Sequence, residues 1–312
     1  MRIGVFISET WGDPSPVDEI RERASAVEAA GLSAGWVPYL PWALDALSAV
    51  QAAGEVTHTI ELGTAVVPTY LFHPLAMARQ AASVQAAVGR EITLGIGCSN
   101  VHVIGMHGLA YDRPADHVRE YLEVLQRAAR SQGQVVYEGE IFRPNGLYST
   151  PGAGLGPILV GALGPRMLRV AGELSDGTLA TWSNARAIET VIGPGIREAA
   201  KAAGRPEPRV GGVVPVTVTQ DVSSVRALAR QHFGTYDGLP RYQRMVELGG
   251  IESASDVCVI GGEGEVRTQL QAFADAGMTD FLAAPYSPGA DPEAQWQRTV
   301  GCLGALAGDF QR

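Results

Sequence analysis

Residues 158–177 read Ile158-Leu159-Val160-Gly161-Ala162-Leu163-Gly164-Pro165-Arg166-Met167-Leu168-Arg169-Val170-Ala171-Gly172-Glu173-Leu174-Ser175-Asp176-Gly177. An apolar run, a glycine turn, a helix-forming segment and the start of a second strand follow one another directly. Gly161 and Gly164 let the backbone approach a ligand with no Cβ in the way. Pro165 stands where a first helical residue can spare its N–H. The free amides of the helix start, with the positive end of its dipole, would meet an anion such as a phosphate. The plain alternative is a strand-to-helix connection whose glycines merely fit a tight turn, since short glycine motifs recur without any ligand.

The same unit repeats along the chain. Apolar, β-branched runs at 3–7, 34–38, 60–67, 91–97, 157–162, 177–182, 210–218 and 279–284 are each followed by a segment with apolar residues at helical spacing. Helices are expected at 17–30, 43–54, 74–88, 165–174, 185–203 and 264–276, and a glycine after most of them marks the stop. Parallel strands joined by helical crossovers explain this alternation. Strands as continuously apolar as Val213-Val214-Pro215-Val216-Thr217-Val218 need cover on both faces. A closed (β/α)8 TIM barrel supplies that cover. A doubly wound open sheet is the competitor, but its glycine fingerprint belongs after the first strand, and here the glycine turn follows the fifth.

Two segments interrupt the repeat. Residues 98–156, after strand four, hold a loop, a helix at 115–130 and a hairpin-like stretch at 134–143; residues 221–250, between strands seven and eight, add two helices. Insertions on the C-terminal side of barrel strands build pocket walls, and that is the expectation for both.

Composition narrows the partners. Hydrophobic residues make up 46% of the chain, which supports a sizeable core. Lysine and arginine total 24 against 33 acidic residues, for a net charge of −9, so nucleic acid is not an expected partner. No apolar run reaches bilayer length, and Met1-Arg2-Ile3-Gly4-Val5-Phe6-Ile7 passes at once into Ser8-Glu9-Thr10. The expectation is a cytoplasmic protein with no membrane partner. The three cysteines, Cys98, Cys258 and Cys302, are scattered and odd in number, so no disulfide framework is read from them.

Cys98, His102 and His107 lie close together, but their spacing matches no zinc pattern and no metal is expected. Neither a Gly-x-Ser-x-Gly elbow nor a phosphate loop with Lys and Ser or Thr occurs. Strand ends are aromatic and neutral instead. Strand two runs into Pro38-Tyr39-Leu40-Pro41-Trp42, strand three into Pro68-Thr69-Tyr70-Leu71-Phe72, and strand four into Cys98-Ser99-Asn100. Together with Trp11, such a lining suits a flat, uncharged ring whose phosphate is held elsewhere. Trp11, Trp42, Tyr70 and Phe72 are therefore candidates for the substrate pocket; core or lid packing is the alternative for each.

The turn at 161–169 with Ala171-Gly172-Glu173-Leu174-Ser175-Asp176-Gly177, preceded by Leu62-Gly63-Thr64-Ala65-Val66-Val67-Pro68-Thr69 and His73-Pro74, resembles the luciferase-like oxidoreductases, in particular their branch that uses the deazaflavin coenzyme F420. Leu94-Gly95-Ile96-Gly97, Tyr111-Asp112-Arg113-Pro114 and Ala276-Gly277-Met278-Thr279-Asp280-Phe281 extend the resemblance along nearly the whole chain. It implies one barrel domain over 1–312, with the cofactor at the C-terminal strand ends. Gly161, Ala162, Leu163, Gly164, Pro165 and Arg166 would cradle the cofactor phosphate, with Thr181 and Ser183 nearby. A cis peptide between Ala65 and Val66 would form a bulge behind the ring, and Cys98, Ser99 and Asn100 would line its other edge. A homodimer is implied as well, and FMN is the alternative cofactor.

The chain also departs from that family. Sugar-phosphate- and alcohol-oxidising relatives place a polar acid/base pair after strand two and a glutamate after strand four, where this chain has Tyr39-Leu40 and Asn100. Oxidising an alcohol needs a base at the hydroxyl. Reducing an activated C=C or C=N bond asks only for a hydride and a proton, so Tyr39 and Asn100 become the candidate catalytic residues of a reductase acting on a small apolar molecule. The alternatives are an FMN-dependent monooxygenase of the same fold and a cofactor-binding protein without turnover. Arg166, Arg169 and Arg143 are the candidates for offsetting the cofactor's negative charge, while Arg113 is expected to pair with Asp112 or Asp116.

Overall fold

The computed structural model describes residues 1–9, 11–131 and 133–310. Its centre is a closed ring of eight parallel strands: β1 Arg2–Phe6, β2 Ala34–Val37, β3 Glu61–Thr64, β4 Ile92–Gly97, β5 Ile158–Val160, β6 Gly177–Thr181, β7 Arg209–Val218 and β8 Asp280–Pro285. Each pairs with the next in order, and β8 closes on β1 with Asp280 opposite Arg2 and Ala283 opposite Val5. All eight expected strands are present, and the architecture is the (β/α)8 barrel, with insertions after β4 and between β7 and β8.

The ring is filled. Phe6, Trp36, Leu159, Leu179, Val213 and Leu282 meet inside it, so the interior is a packed core and no pore. Trp36 is the largest of them and needs room on both neighbouring strands. A Cβ on Gly4 would lie 2.5 Å from its indole nitrogen, and one on Gly63 would lie 2.5 Å from its ring. The second, larger cluster lies between the strands and the outer helices, which include Val17–Ala29, Ala46–Gly54, Pro74–Val88 and Glu263–Asp275. Local chemistry sets their ends. The Asp45 carboxylate accepts from the Ser48 N–H, so the second helix begins at Ala46 and not at the expected 43. Gly89, at φ 75°, ends the third in the left-handed conformation.

Three departures from the expected elements have local causes. The run expected as one strand at 60–67 breaks after Thr64: the Ala65–Val66 bond is cis, as the resemblance implied, and pairing resumes at Val67–Pro68 against Ile96 and Gly97. The helix expected at 185–203 widens into a π-helical turn at Ile188–Ile192 before Gly193–Ala202. Pro194 lacks an N–H and its ring crowds the carbonyl of Thr190, four residues back. The hairpin pairs Gly133–Val136 with Asn145–Tyr148, so much of the stretch expected as strand at 134–143 forms its connection. The short strand Val259–Gly261 on the far edge of β7, and the last helix, Pro292–Phe310, were not legible as elements.

The N-terminal mouth of the barrel is closed by paired charges. Arg209 lies 2.9 Å from both Asp280 and Glu61, and Arg2 bonds both carboxylates in turn. Thr93 and Thr279 donate to Glu61 and Asp280, each at 2.6 Å. A cavity of about 1320 Å³ opens beside this cluster, lined by Arg2, Glu61, Arg90, Arg209 and Asp280 among others. Arg2, Arg209, Glu61 and Asp280 already bond one another and Arg90 donates to the Thr57 and Ile60 carbonyls, so its size is no sign of a ligand.

Candidate functional site

At the opposite mouth, the turn after β5 is held from behind. The Gly161 N–H donates to the Ile96 carbonyl at 2.8 Å, and the Thr178 hydroxyl lies 2.9 Å from the carbonyl of Val160 and 3.3 Å from that of Ala162. Helix Pro165–Leu174 then starts with no side chain capping it. Gly164, just before it, has φ −93° and ψ 157°, which any residue adopts, and a Cβ there would meet nothing within 4 Å. Neither conformation nor packing asks for glycine at this position. Its bareness leaves the first helix amides open to an anion from outside, and the residues present fit a cofactor phosphate. Arg166 is exposed and bonds Asp116 at 3.2 Å, Arg169 is exposed, and Arg143 donates to the Gly139 carbonyl. Arg113 pairs with Asp116 at 3.1 Å and also with Glu140.

The cis bond of Ala65–Val66 throws Val66 toward this turn. Its methyl group lies 2.8 Å from where a Cβ of Gly97 would be, and 3.6 Å from that of Gly161. The bulge, the end of β4 and the glycine turn thus form one surface. On the next strand Trp182 takes φ 57° between Thr181 and a fully buried Ser183 whose hydroxyl faces the Thr181 carbonyl at 3.5 Å. A left-handed tryptophan is strained, as is Ser99 at φ 58°, and both stand where strands meet the mouth.

Tyr39 and Asn100 approach the same wall. Asn100 accepts from the N–H groups of His102 and Val103, both at 3.0 Å, and so caps helix Val101–Met106. His107, just after that helix, lies 2.9 Å from the Val103 carbonyl through Nδ1 and 3.5 Å from the Tyr39 hydroxyl through Nε2. A carbonyl only accepts, so the neutral ring carries its proton on Nδ1 and Nε2 accepts from Tyr39. Burial, with Asp45 nearby, raises the pKa of Tyr39, which keeps the phenol protonated.

The four pocket candidates divide. Trp11 joins an aromatic group with Trp182 and Phe233 at ring separations of 5.9 and 4.9 Å, and its indole N–H is buried without a protein partner. Such an orphan donor at a strand end points to a ligand. Tyr70 is pinned, its hydroxyl on the Asp112 carbonyl and its ring stacked 3.8 Å from His117; burial, with Cys98 and Asp112, pushes its pKa up to about 12. Phe72 packs against the outer core, and Trp42 is 60% exposed on the connection after β2.

Neither Arg241 nor the partners it finds were legible in the sequence. It comes from helix Pro240–Gly249 in the second insertion and reaches the end of β4, where it donates to the Ser99 carbonyl at 2.6 Å and to the Tyr111 hydroxyl at 2.9 Å. Tyr111 also lies 3.1 Å from the Cys98 sulfur. Its neighbour Tyr242, with Tyr236, faces Trp182. A basic residue on an amphipathic helix 140 residues downstream carries no local signature of this contact. Among the described residues no group of three or more His, Cys, Asp or Glu could hold a metal ion, and no helix is long and apolar enough to cross a membrane.

Fold and site together define a (β/α)8 barrel whose strained residues and uncapped helix start gather at the C-terminal strand ends. The chain belongs to the luciferase-like monooxygenase family, whose profile matches residues 1–280. It is 32% identical over 149 residues to a 5,10-methylenetetrahydromethanopterin reductase of Archaeoglobus fulgidus, covering 47% of this chain and 45% of that one. It is 27% identical over 234 residues to an F420-dependent glucose-6-phosphate dehydrogenase of Mycolicibacterium gilvum, covering 69% and 68%. The chain thus spans about half the length of the first of these curated relatives and two thirds of the second. Among solved structures, an F420-dependent secondary alcohol dehydrogenase in complex with an F420-acetone adduct superposes with a TM-score of 0.79 at 18% identity, over 97% of this chain and 98% of that one. The coenzyme F420 dependent tetrahydromethanopterin reductase from Methanopyrus kandleri does so with 0.74 at 21%, over 97% and 96%.

Proposed function

We propose that the chain is a coenzyme F420-dependent oxidoreductase working as a reductase on an activated C=C or C=N bond of a small molecule. The observation that carries this reading is Gly164: a glycine that neither backbone nor packing requires, at an uncapped helix start beside the cis bulge. The F420-dependent glucose-6-phosphate dehydrogenase among the sequence relatives supports deazaflavin over FMN. The chemistry such a cofactor supplies when bound in its reduced form is hydride donation.

The chain's own residues hold and orient. The turn at 161–166 holds the phosphate through the free amides of the helix start, among them that of Arg166, since Gly161 spends its N–H on Ile96 and Pro165 has none, with Thr181 and Ser183 alongside; the Ala65–Val66 bulge gives a firm back wall; Cys98, Ser99 and Asn100 form the facing edge. Asn100 spends its carbonyl oxygen on the helix cap, which leaves only amide N–H groups to face a ligand, and an amide is no base. Tyr39 is the proton donor, kept protonated by burial and oriented by His107. The position after β4 carries an amide and no carboxylate, and the His107 Nε2 is already engaged by Tyr39, which favours reduction over alcohol oxidation. The reading includes a homodimer in the cytoplasm and no nucleic-acid partner, in keeping with the net charge of −9.

Titrating the purified protein with coenzyme F420 and with FMN, followed by fluorescence, tests the cofactor; binding of FMN alone overturns it. Reduced F420 with a panel of enones and imines tests the reaction. Appearance of the oxidised cofactor's absorbance together with a saturated product is the expected result, and tight F420 binding with no transfer to any member of the panel would favour a binding protein.

A further inference from the structure

Arg241 occupies the second position of helix Pro240–Gly249, where the positive end of the helix dipole opposes a cation. It is half-buried, and the ionisable groups around it are Tyr111, Cys98 and Tyr242. No carboxylate pairs with it among the described residues, unlike Arg209 at the other mouth, which has two. A guanidinium cannot shed its charge and carries five N–H groups, and the Ser99 carbonyl and the Tyr111 hydroxyl use two of them. A partly desolvated cation without a counter-ion is costly. Ser99 adds strain to the same contact, holding φ 58° with its carbonyl on the guanidinium. The surroundings are flat and apolar: Tyr111 stacks on Tyr70, while Tyr242 and Tyr236 border Trp182.

We propose that Arg241 is a specificity-determining residue that receives a carboxylate of the substrate, so that the molecule reduced here is a flat, unsaturated organic acid. This departs from the small apolar molecule read from the sequence by adding an anionic group to an unsaturated body, and it rests on the proposed function only in placing the substrate at this mouth. Planar, bidentate pairing of guanidinium with carboxylate supplies the recognition, and the aromatic walls take the unsaturated body.

Calorimetric titration of cinnamate and of its neutral amide, cinnamamide, into the purified protein with and without saturating coenzyme F420 tests the assignment. Wild type is expected to bind the acid about tenfold or more tighter than the amide. Arg241→Gln removes that preference with cinnamamide still bound, and Arg241→Lys and Tyr111→Phe, which keep the cation, retain part of it. Equal affinity of wild type for acid and amide, or no binding of either in the millimolar range, overturns the proposal. So does a preference that survives in Arg241→Gln, because a residue that merely tethers the insertion to β4 would lower thermal stability and leave the ratio unchanged. An Arg241→Gln protein that does not fold leaves the wild-type ratio and the Arg241→Lys and Tyr111→Phe ratios to decide. Failure to bind F420 with the acid preference intact would strike the cofactor reading and leave Arg241 standing.

Discussion

The two mouths of this barrel are made from similar residue types and do opposite things with them. At the N-terminal mouth, Arg2, Arg209, Glu61 and Asp280 consume one another's charge, and two threonines donate to the same carboxylates. At the C-terminal mouth Arg241 meets only a carbonyl and a phenol, two side-chain-bearing residues hold left-handed backbone, an indole N–H is buried without a partner, and a glycine stands bare where nothing requires it. The first mouth is complete as protein. The second is not, and a barrel with a saturated base can carry strain and unpaired groups at its top. The cavity beside the base shows that volume alone does not locate a site; unsatisfied chemistry does.

That contrast can be broken by removing one charge at each end. Asp280 is buried, and its carboxyl, although desolvated, is held below its usual range by Arg209, Arg2 and Thr279. Asp280→Ala leaves Arg209 and Arg2 to share Glu61 alone and should cost about 3–5 kcal/mol in urea unfolding, while leaving the mouth's aromatic group intact by near-ultraviolet circular dichroism. Arg241→Gln strands no carboxylate and loses two hydrogen bonds, so it should cost only about 1–2 kcal/mol in the same assay. Equal costs at the two ends would dissolve the distinction.

A further test of the saturated end uses pH. Burial alone would raise the Glu28 carboxyl, but hydrogen bonds from Thr59, His58 and Ile60 outweigh it and pull it from 4.5 to about 2. A carboxylate depressed in the folded state contributes stability that is full above pH 4.5 and is lost as pH falls from 4.5 toward 2. Glu28→Gln should therefore flatten the melting temperature across that acid window and leave neutral-pH cofactor binding unchanged. The smallest effect belongs to the strained end. Ser99→Gly relieves a left-handed serine at the expense of unfolded-chain entropy, for a net gain of about 0.5 kcal/mol by chemical denaturation; a loss of stability there would mean that Ser99 is no strained residue.

Much of this was legible in the sequence because it is local. The eight apolar runs, the glycine stops and the order strand, glycine, glycine, proline at 158–165 are patterns within a few residues of one another. The family resemblance located the break after Thr64, which propensity alone ran through as a strand. What stayed hidden is long-range. Arg241 reaches Ser99 only because the insertion after β7 folds back over β4, and no periodicity encodes that. Trp182 and Ser99 look like ordinary strand-end residues until their φ angles are known. The aromatic candidates show the same limit: Trp11, Tyr70, Phe72 and Trp42 share a residue class, and tertiary contacts divide them into an orphan donor, a pinned stack, a core packer and an exposed ring.

The central claim is that Gly164 is bare for a ligand's sake. Coenzyme F420 affinity and melting temperature, measured side by side for wild type and Gly164→Asp, test it most directly. A carboxylate in open space should leave the melting temperature within about 2 °C. The same carboxylate, aimed at a phosphate, should weaken F420 binding by about a hundredfold or more. Retained affinity would put the phosphate elsewhere and contradict the account, and so would a large drop in melting temperature, which would make Gly164 a residue of the fold.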